Sequence, residues 1–118
     1  MFVFLIDSNP MITDWLERQA KARGDQFYAL ATLAEAAYFI HDMKPDVLVL
    51  DGKTVQKDHE KFLAALGEYS ELKTIPTLGL GESLPEWTGA LNLKGHIKKP
   101  LDPSRFHKQV EKLLKGQE

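Results

Sequence analysis

Asp7 and Asp51 are the residues of this chain best suited to chemistry. Each ends a short, unbroken apolar run. Phe2-Val3-Phe4-Leu5-Ile6 leads straight into Asp7, and Val47-Leu48-Val49-Leu50 leads straight into Asp51. Runs of this kind suit strands buried on both faces of a parallel sheet. In open α/β sheets, ligands sit at the carboxyl ends of the strands. Two carboxylates that meet there can hold a divalent cation or perturb one another's ionisation. The chemistry therefore depends on whether the two strands are neighbours.

The remaining elements alternate between strand and helix patterns. Asn9-Pro10 reads as an N-cap followed by proline at the first helical position. Met11, Ile12, Trp15, Leu16 and Ala20 follow with helical spacing, and Gly24 supplies a stop. Gln26 to Ala29 is a weak second strand. Thr32-Leu33-Ala34-Glu35 is a capping box, and Leu33, Ala36, Ala37 and Ile40 share one face of the helix it opens. Lys44-Pro45 ends that helix, and the third strand runs to Asp51. Phe62, Leu63, Leu66 and Tyr69 mark a third helix, and Pro76 to Leu80 a fourth strand. Ser83-Leu84-Pro85-Glu86 has the form of a second capping box, opening a short fourth helix that carries Trp87 and Leu91. Gly95 to Lys99 is a short fifth strand. Asp102-Pro103 is expected to cap a last helix with the stripe Phe106, Val110, Leu113 and Leu114.

The 118 residues suffice for one domain with a real core, so residues 1–118 are read as a single domain. Net charge is −2 with both signs interspersed, which gives no basic footprint for nucleic acid and no polybasic membrane signal. The chain has no cysteine, hence neither disulfides nor thiolate chemistry. Its N-terminal apolar run is too short to span a membrane and lacks the basic flank of a signal peptide. A cytoplasmic location is the default expectation.

Five βα units in this length favour an open doubly wound five-stranded parallel sheet with helices on both faces; a barrel needs about 250 residues. In the order 2-1-3-4-5, strands one and three are adjacent at the switch point. Asp7 and Asp51 then share one crevice, with Gly81 and Lys99 ending strands four and five at the same rim.

Four segments now carry a family resemblance: Asp7 after strand one; Pro45-Asp46-Val47-Leu48-Val49-Leu50-Asp51; Ile75-Pro76; and Gly95-His96-Ile97-Lys98-Lys99-Pro100. From Met1 to about Leu114 the chain resembles the receiver domain of bacterial response regulators. The resemblance implies that Asp51 is the phosphoacceptor, supplied by a histidine kinase or phosphotransfer protein. It implies Mg²⁺ held by Asp7, Asp51 and the backbone carbonyl of Lys53, with Lys99 as a fixed cation on a phosphoryl oxygen. It also implies a partner surface on the fourth helix, fifth strand and fifth helix, around Trp87, Leu91, His96, Lys98 and Arg105.

The chain departs from that pattern where the chemistry is most demanding. Ser8 stands where the family has a second acid, and a hydroxyl is only a weak Mg²⁺ ligand. Gly81 stands where a Ser or Thr reports phosphorylation, and His96 replaces the accompanying aromatic. The loop Gly52-Lys53-Thr54-Val55-Gln56-Lys57 lacks the usual proline and glycine, and Lys53 could bring an ammonium near both acids. The expectation is an atypical receiver with Mg²⁺ weak or absent, Asp51 phosphorylation weak or lost, and output through a protein partner rather than catalysis. The alternative is a phosphorylation-competent regulator.

Other classes fit less well. A flavin or nucleotide binder would want a Gly- or Ser-rich phosphate loop, whereas Asp7-Ser8-Asn9-Pro10 puts an acid there. A phosphohydrolase with Asp7 as nucleophile would carry an acid at Asn9. Plainer roles also exist: Asp7 and Asp51 as turn caps, Lys99 as a surface lysine, His96 as a half-buried strand residue. Trp15 and Trp87 are expected to pack rather than bind. Lys98, Lys99, Arg105, Lys108 and Lys112 would then be a solvated basic face.

Overall fold

The computed structural model describes residues 1–116. In chain order the elements are β1 (Phe2–Ile6), α1 (Pro10–Arg23), β2 (Gln26–Leu30), α2 (Leu33–Met43) and β3 (Val47–Asp51). There follow α3 (His59–Glu68), β4 (Pro76–Leu80), β5 (Asn92–Ile97) and α4 (Phe106–Leu114). Three 3₁₀ turns, Thr54–Gln56, Ser70–Thr74 and Glu86–Ala90, lie in the connections. The five strands form one parallel sheet in the order β2-β1-β3-β4-β5, as the sequence pattern predicts.

Local chemistry explains the helix boundaries. The Asn9 side chain accepts from the Met11 amide at the start of α1, and Pro10 presets the first turn. Gly24, at φ 79°, closes α1 in a left-handed cap. Thr32 accepts from the Glu35 amide at 3.2 Å, so the N-cap half of the expected capping box opens α2. The strands read as unbroken apolar runs because both faces of the sheet are covered. Phe4, Ile6, Leu48 and Leu50 pack against Ile40 of α2 and Phe62 and Leu66 of α3. Val3, Leu5, Val49 and Leu80 pack on the other face against Leu16 of α1 and Phe106 and Val110 of α4. Alternate residues of one strand thus feed two cores.

Several elements differ from the sequence reading. β2 runs on to Leu30. β5 starts earlier and ends at Ile97, so Lys99 lies on the loop beyond the strand. Thr77 pairs with Leu93 and Leu78 with Gly95, leaving Lys94 as an extra residue in β5. The expected fourth helix is a single 3₁₀ turn, Glu86–Ala90, with Pro85 at its cap and no side-chain cap bond, so the Ser83 capping box does not form. Gly89 inside that turn disfavours its extension, and Leu91 follows it. Asp102 does not cap α4. Its carboxylate accepts from the amide and hydroxyl of Ser104 in a local turn, and the helix begins four residues later. Tyr69 ends α3 rather than joining its apolar face, and its ring stacks on His41. Trp15 is 49% exposed on α1, not packed as expected.

Gly81 follows β4 at φ 105°, donating its amide to the Ile97 carbonyl at 2.9 Å. A Cβ there would have room, its nearest neighbour being Asp51 Oδ1 at 3.6 Å. The requirement for glycine is therefore conformational rather than steric. Gly81→Thr is expected to destabilise the fold by about 1–3 kcal/mol in urea denaturation. An unchanged midpoint would show that the backbone relaxes to a conformation open to all residues.

Candidate functional site

The carboxyl ends of β1 and β3 lie side by side, and the loop after β5 reaches across to them. Asp7, just past β1, is 3% exposed, and Asp51, the last residue of β3, is 5% exposed. The Lys99 ammonium sits between them, 3.3 Å from Asp7 Oδ2 and 2.9 Å from Asp51 Oδ1. The peptide bond between Lys99 and Pro100 is cis. Two buried like charges would be costly side by side, and the ammonium offsets both.

The other carboxylate oxygens are also held. Asp7 Oδ1 accepts from the Asn9 amide at 3.0 Å. Asp51 Oδ2 accepts from the Thr54 amide at 3.1 Å and from the Thr54 hydroxyl at 2.7 Å. A threonine hydroxyl has one proton, and the short contact to a carboxylate takes it. The Thr54 oxygen therefore acts as acceptor toward the Ser8 amide, 3.1 Å away, and stands 3.3 Å from the Ser8 hydroxyl oxygen. Both aspartates thus cap their own loops, as the plainer reading had it, while also meeting at Lys99.

A divalent cation here would have to compete with Lys99 and the loop donors for the carboxylate oxygens. Mg²⁺ needs oxygen ligands in an open octahedral arrangement. Here each oxygen of Asp7 and Asp51 already accepts a hydrogen bond from the protein, and among the described residues the cation paired with both acids is the Lys99 ammonium. Among the described residues no three His, Asp or Glu side chains converge as a metal-holding group. Lys53, whose carbonyl the resemblance assigns to the metal, has an exposed side chain, and it forms no ion pair among the described residues.

The two switch positions are coupled in a different way. His96 Nε2 is hydrogen bonded to the Gly81 carbonyl. The His96 ring lies over Gly79, where a Cβ would run into Nδ1. The half-buried histidine is thus turned inward, with Gly79 providing its space. Gly52 is also obligatory, since a Cβ there would collide with the Ser83 carbonyl.

The residues of the expected partner surface fall into two groups. Trp87 and Leu91 are half-buried against the core on the α2–α3 side. The Trp87 indole N–H donates to the Val55 carbonyl at 2.9 Å, and its ring stacks on His59. Lys98 and Arg105 are exposed. A groove of about 450 Å³ runs between β5 and α4, with Lys94 and Lys112 among its lining residues.

Sequence reasoning missed Thr54 and Gly79. Asp51-Gly52-Lys53-Thr54 has the spacing of a carboxylate that caps the amide three residues on, which was the available signal for Thr54. Gly79 had none, because its role depends on a neighbouring strand.

The pKa directions follow from this geometry. Burial pushes the Asp7 carboxyl above the ordinary aspartate range, and Asp51 adds to that; the Asn9 amide and Lys99 pull it back only in part. For Lys99, burial works against the charge, but the hydrogen bond to Asp51 and both negative charges outweigh it, so its pKa is raised. A raised aspartate pKa means that the folded state binds the proton more tightly than the unfolded state. Asp7 contributes stability below its unfolded pKa, and that contribution is lost as the pH rises through the raised value. Asp7→Asn keeps an oxygen for the Asn9 amide without the buried charge. Its thermal midpoint at neutral pH is expected to equal or exceed that of the parent, with the difference shrinking in acid. A variant less stable than the parent at neutral pH would mean that the Lys99 attraction outweighs burial.

No family profile and no curated protein matches the chain by sequence. Solved structures do match by fold. The chemotaxis response regulator CheY4 of Vibrio cholerae superposes with TM-score 0.75 at 22% identity, over 94% of this chain and 96% of that one. The receiver domain of a sensor histidine kinase from Pseudomonas aeruginosa, described with magnesium in its active-site cleft, gives 0.71 at 12% identity, over 96% of each chain. The receiver domain of a signal transduction histidine kinase from Syntrophus aciditrophicus gives 0.71 at 22% identity, over 97% of this chain and 89% of that one. The fold of this chain is that of the response regulator receiver domain.

Proposed function

We propose that the chain is an atypical receiver-type signalling domain of a two-component or phosphorelay system, with weak or lost phosphorylation at Asp51. One observation carries this reading: both oxygens of Asp51 are already held inside the protein, Oδ1 by Lys99 and Oδ2 twice by Thr54. A carboxylate attacking phosphorus needs a free oxygen and a concentration of positive charge on the incoming phosphoryl group. Among the described residues the cation between the acids is the Lys99 ammonium, which is already ion-paired with both. Ser8 adds no charge to attract a divalent ion, and Gly81 has no hydroxyl to register a phosphoryl group. The domain then works by presenting a surface, not by catalysis.

A phosphorylation-competent regulator is the second reading, favoured by the convergence of Asp7, Asp51 and Lys99 within one hydrogen-bonded cluster. Treatment with a small acyl phosphate and Mg²⁺, followed by mass spectrometry, separates the two. Trace labelling at most is expected, and Asp51→Asn should remove whatever adduct forms. Rapid and complete labelling would establish the second reading, and labelling that survives Asp51→Asn would place the acceptor elsewhere.

The partner surface is assigned to β5, α4 and the Glu86–Ala90 turn. Lys94, Lys98, Arg105, Lys108 and Lys112 make this side basic and exposed, although net charge is −2. Its partner is a protein with an acidic face; a histidine kinase or phosphotransfer protein is the expected class. Nucleic acid is disfavoured by overall charge, and no helix among the described residues is long and apolar enough to cross a membrane. Reversing charge at Lys98 and Arg105 together is expected to weaken binding of the co-purifying partner about tenfold without lowering the thermal midpoint. Unchanged affinity would move the interface to another face.

A further inference from the structure

The loop after β3 is pinned at two adjacent residues in opposite directions. Thr54 bonds back to Asp51 through its amide and hydroxyl, and accepts the Ser8 amide from the loop after β1. Val55, fully buried, offers its carbonyl to the Trp87 indole N–H at 2.9 Å. Gln56 closes the same loop by donating to the Gly52 carbonyl at 2.9 Å. Trp87 belongs to the 3₁₀ turn Glu86–Ala90, and its ring also lies against His59 and Phe62. Two hydrogen bonds, Ser8 to Thr54 and Trp87 to Val55, thus meet at adjacent residues joined by one peptide bond.

We propose that Thr54 is a positioning residue whose hydroxyl bridges the loops after β1 and β3, and thereby holds Trp87 and the Glu86–Ala90 turn in one arrangement that needs neither a cation nor a phosphoryl group. This deepens the function proposed above and rests on it for the placing of the partner surface. The chemistry is that of a covalently tethered bridge. A divalent ion would join the two loops by attracting an oxygen from each. The Thr54 hydroxyl joins them by giving its proton to the Asp51 carboxylate and taking the Ser8 amide proton. Having no net charge, it leaves Lys99 as the cation paired with both acids. A tethered bridge does not dissociate as an ion does, so the arrangement it holds is constitutive.

Two features make the inference testable without any ligand. Thr54→Val keeps the branched shape and the backbone amide but loses the hydroxyl; Thr54→Ser keeps the hydroxyl. Trp87 is its own reporter, because a hydrogen-bonded indole proton is slowed in its exchange with solvent and is visible by nuclear magnetic resonance. Trp15→Phe, at an exposed site on α1, leaves Trp87 as the sole indole. In that background the Trp87 indole signal is expected to be protected and unmoved by a large excess of Mg²⁺. Thr54→Val should reduce its protection at least about tenfold, and Thr54→Ser should restore it. An indole signal that is the same with Val at position 54 as with Thr would overturn the proposal, as would a failure of Ser to restore it. A Mg²⁺-dependent shift of the Trp87 signal in the parent would overturn it independently, even if the valine variant did not fold. These outcomes do not depend on whether Asp51 accepts phosphate, so the bridge can fail while the function stands, and the reverse.

Discussion

The Lys99 ammonium between two buried carboxylates is the interaction on which the rim of this sheet depends. Asp7 and Asp51 are brought together by the pairing of β1 with β3, which the two cores impose. Their charges would repel in that setting, and Lys99 from the loop after β5 resolves the conflict. Between β3 and β5 lies β4, which ends at Leu80 and is followed by Gly81. A Cβ at Gly81 would stand only in ordinary contact with Asp51 Oδ1, at 3.6 Å, so the lysine reaches Asp51 past it. The use of glycine at this position is its positive φ.

The other rim loops are joined to this pair by hydrogen bonds and close main-chain contacts. Thr54 occupies the free oxygen of Asp51 and reaches Ser8. His96 turns inward over Gly79 and bonds the Gly81 carbonyl, linking β5 to the loop after β4. Gly52 lets the loops after β3 and β4 touch main chain to main chain. Each substitution looks like an isolated loss in the sequence. Together they form a connected set in which the hydroxyl, the histidine and the glycines supply contacts among themselves.

Much of the fold was legible because its signals are local or periodic. Two-sided burial produced the apolar runs of β1 and β3, and the caps at Asn9, Thr32 and Gly24 act within a few residues of their own helix. The meeting of Asp7, Asp51 and Lys99 followed from strand order alone. What escaped was either a competition between local signals or a contact across the sheet. Ser83-Leu84-Pro85-Glu86 has the letters of a capping box, but Pro85 and Gly89 leave only one 3₁₀ turn. Asp102 found a nearer partner in Ser104 than in α4. Trp15 has helical spacing but lies outside the buried stripe of Thr13, Leu16 and Ala20. Thr54 and Gly79 matter only because of residues that approach them from other strands.

The bridging ammonium can be measured directly. Scalar couplings across hydrogen bonds between the Lys99 ammonium nitrogen and the side-chain carboxylate carbons report whether both acids hold it at once. Couplings to both Asp7 and Asp51 are expected, unchanged when Mg²⁺ is added in large excess. Absence of either coupling, or its loss on adding Mg²⁺, would contradict a site closed by its own ammonium and would return Asp7 and Asp51 to the role of metal ligands.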